Sequence, residues 1–591
     1  MLQKKTLAGF WSIVFDKANR GIEEKWYIRG GSSSREKICC EVPGCWNFVD
    51  RERYFHYTGT AWYFKTFAGS PDWRGKRVLL VFEGVHYRCQ VWLNEKKVGE
   101  HEGGFTPFEI DVSNIINPVG KNYLAVQVNN ELSETTLPSL GVDWFNYGGI
   151  VREVYVGVTN QLYIANIRVD TRINGTVNVE FDLVNQDFSI EEVTYTVTIY
   201  DMDGNPQAVH TAEIRVKNQE KIACQLTVKD PQLWDTRNPY LYRMEIIVQN
   251  QDKTYLIDKT EESVGIREIK AEGIRILLNR RPIKIRGVSR HEDYPHVGRT
   301  ISRHLTYQDY SIIKKANVNL VRLAHYPHSR EEIEVADHLG IMLMEEIPNV
   351  FLRKEQMAKP NVLKLAKQQL KEVIESHRNH PSVVMWSLSI ECETDTEIGR
   401  EYMKKLAEYA RQLDKTRLLI HASNRPLKEK AYDLVDVIGV NIFEGWYSQK
   451  PLKVYGEWMD EAHEKLPDKP IVLTSHGAGA IYGNRRLEET YWSENYQAKY
   501  LKEIGEMLLK RDYISGEIIW HFMDFPVSHW EQLGFTKMLN YLMRPVEFNH
   551  KGLVDYYRRP KMSYYVVRDL YKRWQEKEEA RNKSQMGGEE A

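Results

Sequence analysis

The sequence predicts a multidomain chain: an N-terminal jelly-roll β-sandwich over 1–160, an immunoglobulin-like β-sandwich over 161–268, and a C-terminal (β/α)8 TIM barrel over 269–575. Three observations carry this reading. A chain of 591 residues exceeds what one hydrophobic core accommodates, so about three domains are expected. Up to residue 268 the apolar runs are short and punctuated by turn residues. Beyond that point they alternate with amphipathic helical segments.

In the first domain, R-V-L-L-V-F-E-G-V (77–85) and C-Q-V-W-L-N (89–94) read as strands, with Gly84, Gly99, Gly103 and Gly104 between runs. The second repeats that grammar in Y-I-A-N-I-R-V-D, G-T-V-N-V-E-F-D-L-V, V-T-Y-T-V-T-I-Y-D and Y-R-M-E-I-I-V. Strands about ten residues apart with no strong helix fit a sandwich of immunoglobulin size. In the third, strand candidates fall at 284–289, 319–325, 341–346, 383–390, 417–422, 436–441, 471–476 and 516–522. Helical segments such as 329–339, 361–377, 397–413 and 489–510 separate them. Continuous apolar strands with helical crossovers indicate a closed parallel barrel. Residues 562–575 read as its closing helix, and the charged tail 576–591 as disordered.

Composition narrows the function classes. The formal net charge is −1, which points to no polyanionic partner and no anionic membrane surface. The sequence shows no G-x-G-x-x-G after a strand, no P-loop, no H-E-x-x-H motif and no basic stripe, so neither a metal nor a cofactor nor nucleic acid is expected. The six cysteines form no CxxC pair, the N-terminus carries no long apolar segment, and no stretch approaches the roughly 20 apolar residues of a membrane span. A reduced, cytoplasmic setting is the expectation. The 15 Trp and 34 Tyr suit β-rich cores, and flat rings also suit the apolar faces of sugars.

Chemistry in a (β/α)8 barrel sits at the C-terminal ends of the strands. The polar residues predicted there are His291, His325, Glu345, Glu346, Glu391, Asn441, Ser475, His476, Trp520 and His521. Singly, each suits a structural role. Their convergence on one rim predicts a site.

Several long motifs point further. V-P-G-C-W-N (42–47), W-L-N-E-K-K-V-G-E-H-E-G-G-F-T-P-F (92–108), D-W-F-N-Y-G-G-I-V-R (143–152), G-V-S-R-H-E-D (287–293), R-L-A-H-Y-P (322–327) and N-H-P-S-V-V-M-W-S (379–387) stand in that order. With two sandwiches before a barrel, the chain resembles glycoside hydrolase family 2, and most of all its β-glucuronidases. The resemblance covers all but the tail. It implies a carbohydrate substrate, and it makes a homo-oligomer an expectation.

The resemblance assigns roles residue by residue. Glu391 matches the acid/base, and the nucleophile motif matches T-S-H-G (474–477), placing Ser475 where a second glutamate is expected. Retaining glycosidases hold those two carboxyls about 5 Å apart, one protonating the leaving oxygen while the other attacks the anomeric carbon. A serine hydroxyl is short and un-ionised, and does not replace that carboxylate. Three more departures stand nearby. Ile390 replaces the asparagine before the acid/base, His476 the tyrosine after the nucleophile, and Phe443 a tyrosine of N-I-F-E-G-W-Y (441–447). Asn549 and Lys551 match the N-x-K signature that grips a sugar carboxylate. Asp143 and His325 match substrate-binding positions, and His291 and Trp520 at the strand ends are expected to bind substrate with them. Three readings stay open. The first is a β-glycosidase, of a β-glucuronide for instance, in which Glu391 is the acid and His476 activates a water with inversion, or Glu346 or Glu292 supplies the missing carboxylate. The second is an inactive relative that binds uronic-acid glycans. The third is an ordinary retaining β-glucuronidase or β-galactosidase with an engineered Ser475, which leaves Ile390, His476 and Phe443 unexplained.

Overall fold

The computed structural model describes residues 2–29, 35–187, 189, 191–448, 450–486, 488–528 and 544–589. Two antiparallel sheets form the first domain. One runs in the order Gln3–Thr6, Val154–Thr159, Arg77–Phe82, Phe108–Asp111, and the other places Thr60–Ala68 and Lys121–Asn129 at its centre. Trp11, Ile13, Leu80, Phe82, Val91 and Val126 fill the space between them. The second domain packs a three-stranded sheet on a four-stranded one. Its Thr176–Asn185 strand alternates cleanly, with Val177, Val179, Phe181 and Leu183 turned inward.

The barrel closes through eight parallel strands: β1 Ile285–Arg290, β2 Leu320–Leu323, β3 Met342–Glu346, β4 Val383–Ile390, β5 Leu418–Ser423, β6 Val437–Asn441, β7 Ile471–His476 and β8 Ile514–Ile519. Both faces of these strands are buried, which is why they read as unbroken apolar runs. Met342, Met344, Val384, Ile420, Val472 and Ile518 pack inside, and a small sheet over 269–283 sits against them through Ile269, Ile276 and Ile283. That arrangement stoppers the N-terminal mouth and leaves the C-terminal rim open. The longer helices among the described residues are α1 Arg303–Lys315, α2 Arg330–Leu339, α3 Pro360–His377, α4 Glu397–Leu413, α5 Lys453–Lys465, α6 Glu494–Leu509 and α7 Met562–Glu589. Local chemistry sets their ends. The Thr396 and Ser493 hydroxyls accept from the third backbone N–H of α4 and α6, and α2 stops at Gly340, which turns left-handed at φ 64°.

The tail expected to be disordered from 576 is instead the second half of α7. Its acidic side chains have partners on the barrel floor: Glu578 accepts from the Lys284 backbone N–H at 2.8 Å and from Arg286 Nη1 at 3.0 Å. Among the described residues no helix is long and apolar enough to cross a membrane, and all six cysteines are free thiols.

Candidate active site

A cavity of about 1050 Å³ opens at the C-terminal rim. Glu391 stands on its wall, one residue past the end of β4. Its backbone is left-handed, φ 51°, held there by its N–H donating to the Ala422 carbonyl at 2.7 Å. A non-glycine residue kept in this region is strained, and such strain collects at functional sites. Two amides fix the carboxyl: Asn441 Nδ2 donates to Oε1 at 2.8 Å and Asn424 Nδ2 to Oε2 at 2.9 Å. Burial raises the Glu391 carboxyl above the ordinary glutamate range, with the two amides and the Arg322 charge pulling the other way. A carboxyl that keeps its proton at higher pH is suited to general acid catalysis.

Ser475 lines the same cavity at the end of β7, opposite Asn441 in the β6–β7 register. The strand bulges between Leu473 and His476, which re-aims its last side chains. The chain then passes so close to the Trp520 carbonyl that a Cβ on Gly477 would lie 2.1 Å from it, so only glycine fits. Below, Arg322 of β2 reaches across: Nη1 donates to the Thr474 carbonyl at 2.8 Å and Nε to Glu346 Oε1 at 2.9 Å. Glu346 Oε2 holds His325 Nδ1 at 2.8 Å. Burial alone would raise the Glu346 carboxyl, but Arg322 and His325 hold it below its usual range. The His325 ring stacks on Trp520, centroids 4.7 Å apart, and both residues line the cavity. Burial pushes the His325 pKa down.

Another part of the lining carries cations. Asp143 reaches in from the first sandwich, and Arg544 spans both of its oxygens, Nε to Oδ1 at 2.9 Å and Nη2 to Oδ2. Asn549 Nδ2 donates to Asp143 Oδ2 at 3.2 Å. Lys551 is 2% exposed. Among the described residues its ammonium donates to one acceptor, the Tyr447 hydroxyl at 2.7 Å, and it lies 4.7 Å over that ring and 5.5 Å over Trp446. Burial lowers the Lys551 pKa. With Asp143 matched by Arg544, no carboxylate among the described residues pairs with the ammonium, and an anionic ligand would supply a counter-charge.

The structure thus brings Glu391, Ser475, Asp143, His325, Ile390, Phe443 and Trp520 to the lining of one cavity, with Asn549 and Lys551 hydrogen-bonded to Asp143 and Tyr447 of that lining. Two expected site residues lie elsewhere. His476 has no exposed surface and turns toward Glu517, Nε2 to Oε2 3.0 Å, and toward Tyr455, away from the cavity. The bulge in β7 sends Ser475 inward and His476 out, so His476 is not placed to activate a water. His291 is enclosed by Trp144, Trp520, His521 and Phe525, with Nδ1 against the Tyr326 hydroxyl at 3.2 Å, and supports the wall from behind. Glu292, offered as a substitute carboxylate, is bound instead to Arg152 at 2.8 Å and to the Ser329 N–H at 2.7 Å. Arg544, Asn424, Tyr447 and Arg322 were missed. Asn424 follows β5 directly and was open to the strand-end rule. Arg544 sits in a segment without motif, and only the fold carries it to Asp143.

Two sandwiches before a barrel are the domain order of a glycoside hydrolase family, and the family models give the class. Residues 268–575 match the family model described as glycosyl hydrolases family 2, TIM barrel domain. Residues 4–159 match the sugar binding domain of that family, and 162–267 its central domain. The chain belongs to glycosyl hydrolase family 2 and is by that membership an O-glycosyl hydrolase. Among its relatives is a β-glucuronidase of Paenibacillus borealis, 30% identical over 611 residues, covering 97% of each chain. The β-glucuronidase of Homo sapiens is 28% identical, covering 96% of this chain and 90% of its own. Similar solved structures include a family 2 β-galacturonidase from Eisenbergiella tayi bound to galacturonate, with TM-score 0.84, 28% identity and 97% of both chains covered. A β-glucuronidase from Ruminococcus gnavus in complex with uronic deoxynojirimycin aligns with TM-score 0.87 at 29% identity, covering 96% of this chain and 98% of that one.

Proposed function

We propose that this protein cleaves β-linked uronides by a single displacement, with Glu391 as the proton donor. The observation that supports it best is the buried Lys551 ammonium, which has no carboxylate partner among the described residues, beside a cavity that also holds the Glu391 carboxyl with its raised pKa. A uronic acid meets both demands, its carboxylate on the cationic side and its glycosidic oxygen at Glu391. The names of the similar proteins, glucuronidases and a galacturonidase, agree with a uronide. Ser475 removes the second carboxylate of the double-displacement route, and His476 faces away, so with no other free nucleophile on the cavity lining among the described residues the attacking group is taken to come from outside the chain. A direct attack inverts the anomeric centre.

The test is aryl-glycoside cleavage, led by the β-D-glucuronide and the β-D-galacturonide, with anomeric NMR of the first product. An α-configured first product is expected. Glu391→Gln should lower kcat on the order of 10²- to 10⁴-fold, the range for a general acid. Only protonated Glu391 donates, so activity falls as pH rises through its raised pKa, and Glu391→Gln should erase that limb. Background rates on every uronide, together with tight calorimetric binding of glucuronic acid, would replace hydrolysis by uronate binding. Ser475 and Ile390 favour that second reading, because they remove the carboxylate nucleophile and an amide from the sugar's surroundings.

A further inference from the structure

Building on Glu391 as proton donor, we infer that the place of the missing carboxylate is an anion site formed by Arg322 and Ser475, and that a small oxyanion bound there attacks the anomeric carbon. Arg322 carries five N–H donors and no acceptor. Two of its nitrogens are engaged, with Glu346 and with the Thr474 carbonyl, but Nη2 has no hydrogen-bond partner among the described residues although the side chain is fully buried. Buried polar groups are almost always paired, and a charged donor left alone is costly. The Thr474 carbonyl belongs to the residue just before Ser475, so the guanidinium lies beside the cavity wall that Ser475 forms. Thr474 also links this arginine to the proton donor: its hydroxyl donates to Asn441 Oδ1 at 2.8 Å, and Asn441 Nδ2 donates to Glu391. The Ser475 hydroxyl makes no side-chain hydrogen bond among the described residues, and it is a second donor for an anion. Glu346 already offsets one unit of charge on Arg322, so a monoanion such as formate or acetate fits better than a dianion.

In the reaction, a lone pair on the anion's oxygen forms a bond to the anomeric carbon from the face opposite the aglycone. The bond from that carbon to the aglycone oxygen breaks, and its electron pair leaves with the oxygen, which takes the proton of Glu391. The product is an α-glycosyl ester of the anion. Glu391 recovers its proton from water.

The experiment follows cleavage of an aryl β-D-glucuronide by the native protein in formate, acetate or phosphate, against chloride at equal ionic strength. Products are identified by mass spectrometry and anomeric NMR, and formate binding is measured by calorimetry on the native protein, Ser475→Ala and Ser475→Glu. The expected result is a saturable rate increase of about tenfold or more in one oxyanion and an α-glycosyl ester. Formate binding should weaken in Ser475→Ala and vanish in Ser475→Glu, where the new carboxylate takes Arg322 Nη2. Equal rates in chloride and every oxyanion overturn the inference while leaving Glu391-dependent hydrolysis standing. Formate binding that persists unchanged in Ser475→Glu overturns the site itself. Binding with no turnover in any anion removes the nucleophile role and the hydrolytic reading together.

Discussion

Lys551 concentrates the specificity argument in one residue. Its ammonium is buried against Tyr447 and Trp446, and burial already disfavours its charge. A substrate carboxylate would restore the charged form and gain a charge-assisted hydrogen bond. Lys551→Met should therefore reduce kcat/KM for a β-glucuronide by on the order of 2 to 5 kcal/mol, the scale for removing one partner of a buried charged pair. The neutral β-glucoside should lose far less, and similar losses on both sugars would rule out carboxylate recognition by this residue. Lys551 and Glu391 were legible in the sequence because each stands in a short motif. Arg544 was not: its importance lies in its grip on Asp143, 401 residues away in the chain. His476 was misread for a related reason. Adjacent residues on a strand face opposite ways, and the bulge in β7 that settles which one faces the cavity is invisible in composition.

At the scale of elements, the eight barrel strands were readable because burial on both faces forces continuous apolar runs. The last helix was only half readable. Apolar periodicity carries α7 through Tyr571 and Trp574, and then the pattern turns charged. Charge without periodicity reads as disorder. Here the charges continue the helix by pairing with the barrel floor and the second sandwich: Glu578 with Arg286 and the Lys284 N–H, Arg581 with Asp512, and Glu579 with Arg237 of the sandwich. Glu578 and Arg286 are both nearly inaccessible, at 9% and 5%. Breaking such a pair by removing one partner leaves a buried charge, so Glu578→Ala should destabilise the protein by roughly 3 kcal/mol. Ending the chain after Gln575 should cost at least as much, because it removes Glu578 together with the Arg237–Glu579 and Arg581–Asp512 pairs. Thermal denaturation of both variants decides this, and an unchanged midpoint in the shortened chain would mean that the extension contributes nothing to stability.

At the scale of the whole molecule, the order of domains was legible and their docking was not. The cavity depends on that docking, since Leu140, Gly141, Asp143 and Trp144 come from the first sandwich and the rest of the lining from the barrel. Arg152 fastens the two. Its Nη1 donates to the Phe105 carbonyl at 2.6 Å within the sandwich, while Nη2 donates at 2.8 Å to Glu292 and to the Pro327 carbonyl in the barrel. Burial would raise the Glu292 carboxyl, but Arg152 and His328 outweigh it and hold the pKa at about 2. The sign follows from linkage. A carboxylate whose folded pKa lies below its unfolded one stabilises the fold above the ordinary glutamate value, about 4.3. That stability drains away as pH falls toward the folded value. Arg152→Met strands Glu292 as a buried charge and should cost roughly 3 to 5 kcal/mol at neutral pH. The deficit should hold steady from about pH 7 down to 5 and shrink below about pH 4, as Glu292 takes up a proton in either state of the variant. Because the sandwich also carries Asp143, the same variant should raise KM for the uronide more than it lowers kcat. Denaturation midpoints of the native protein and Arg152→Met across that pH range, paired with kinetics at neutral pH, test both halves. A deficit that ignores pH would assign the role of Arg152 to its packing and carbonyl contacts and not to Glu292, and an unchanged KM would show that Asp143 keeps its place without this clasp.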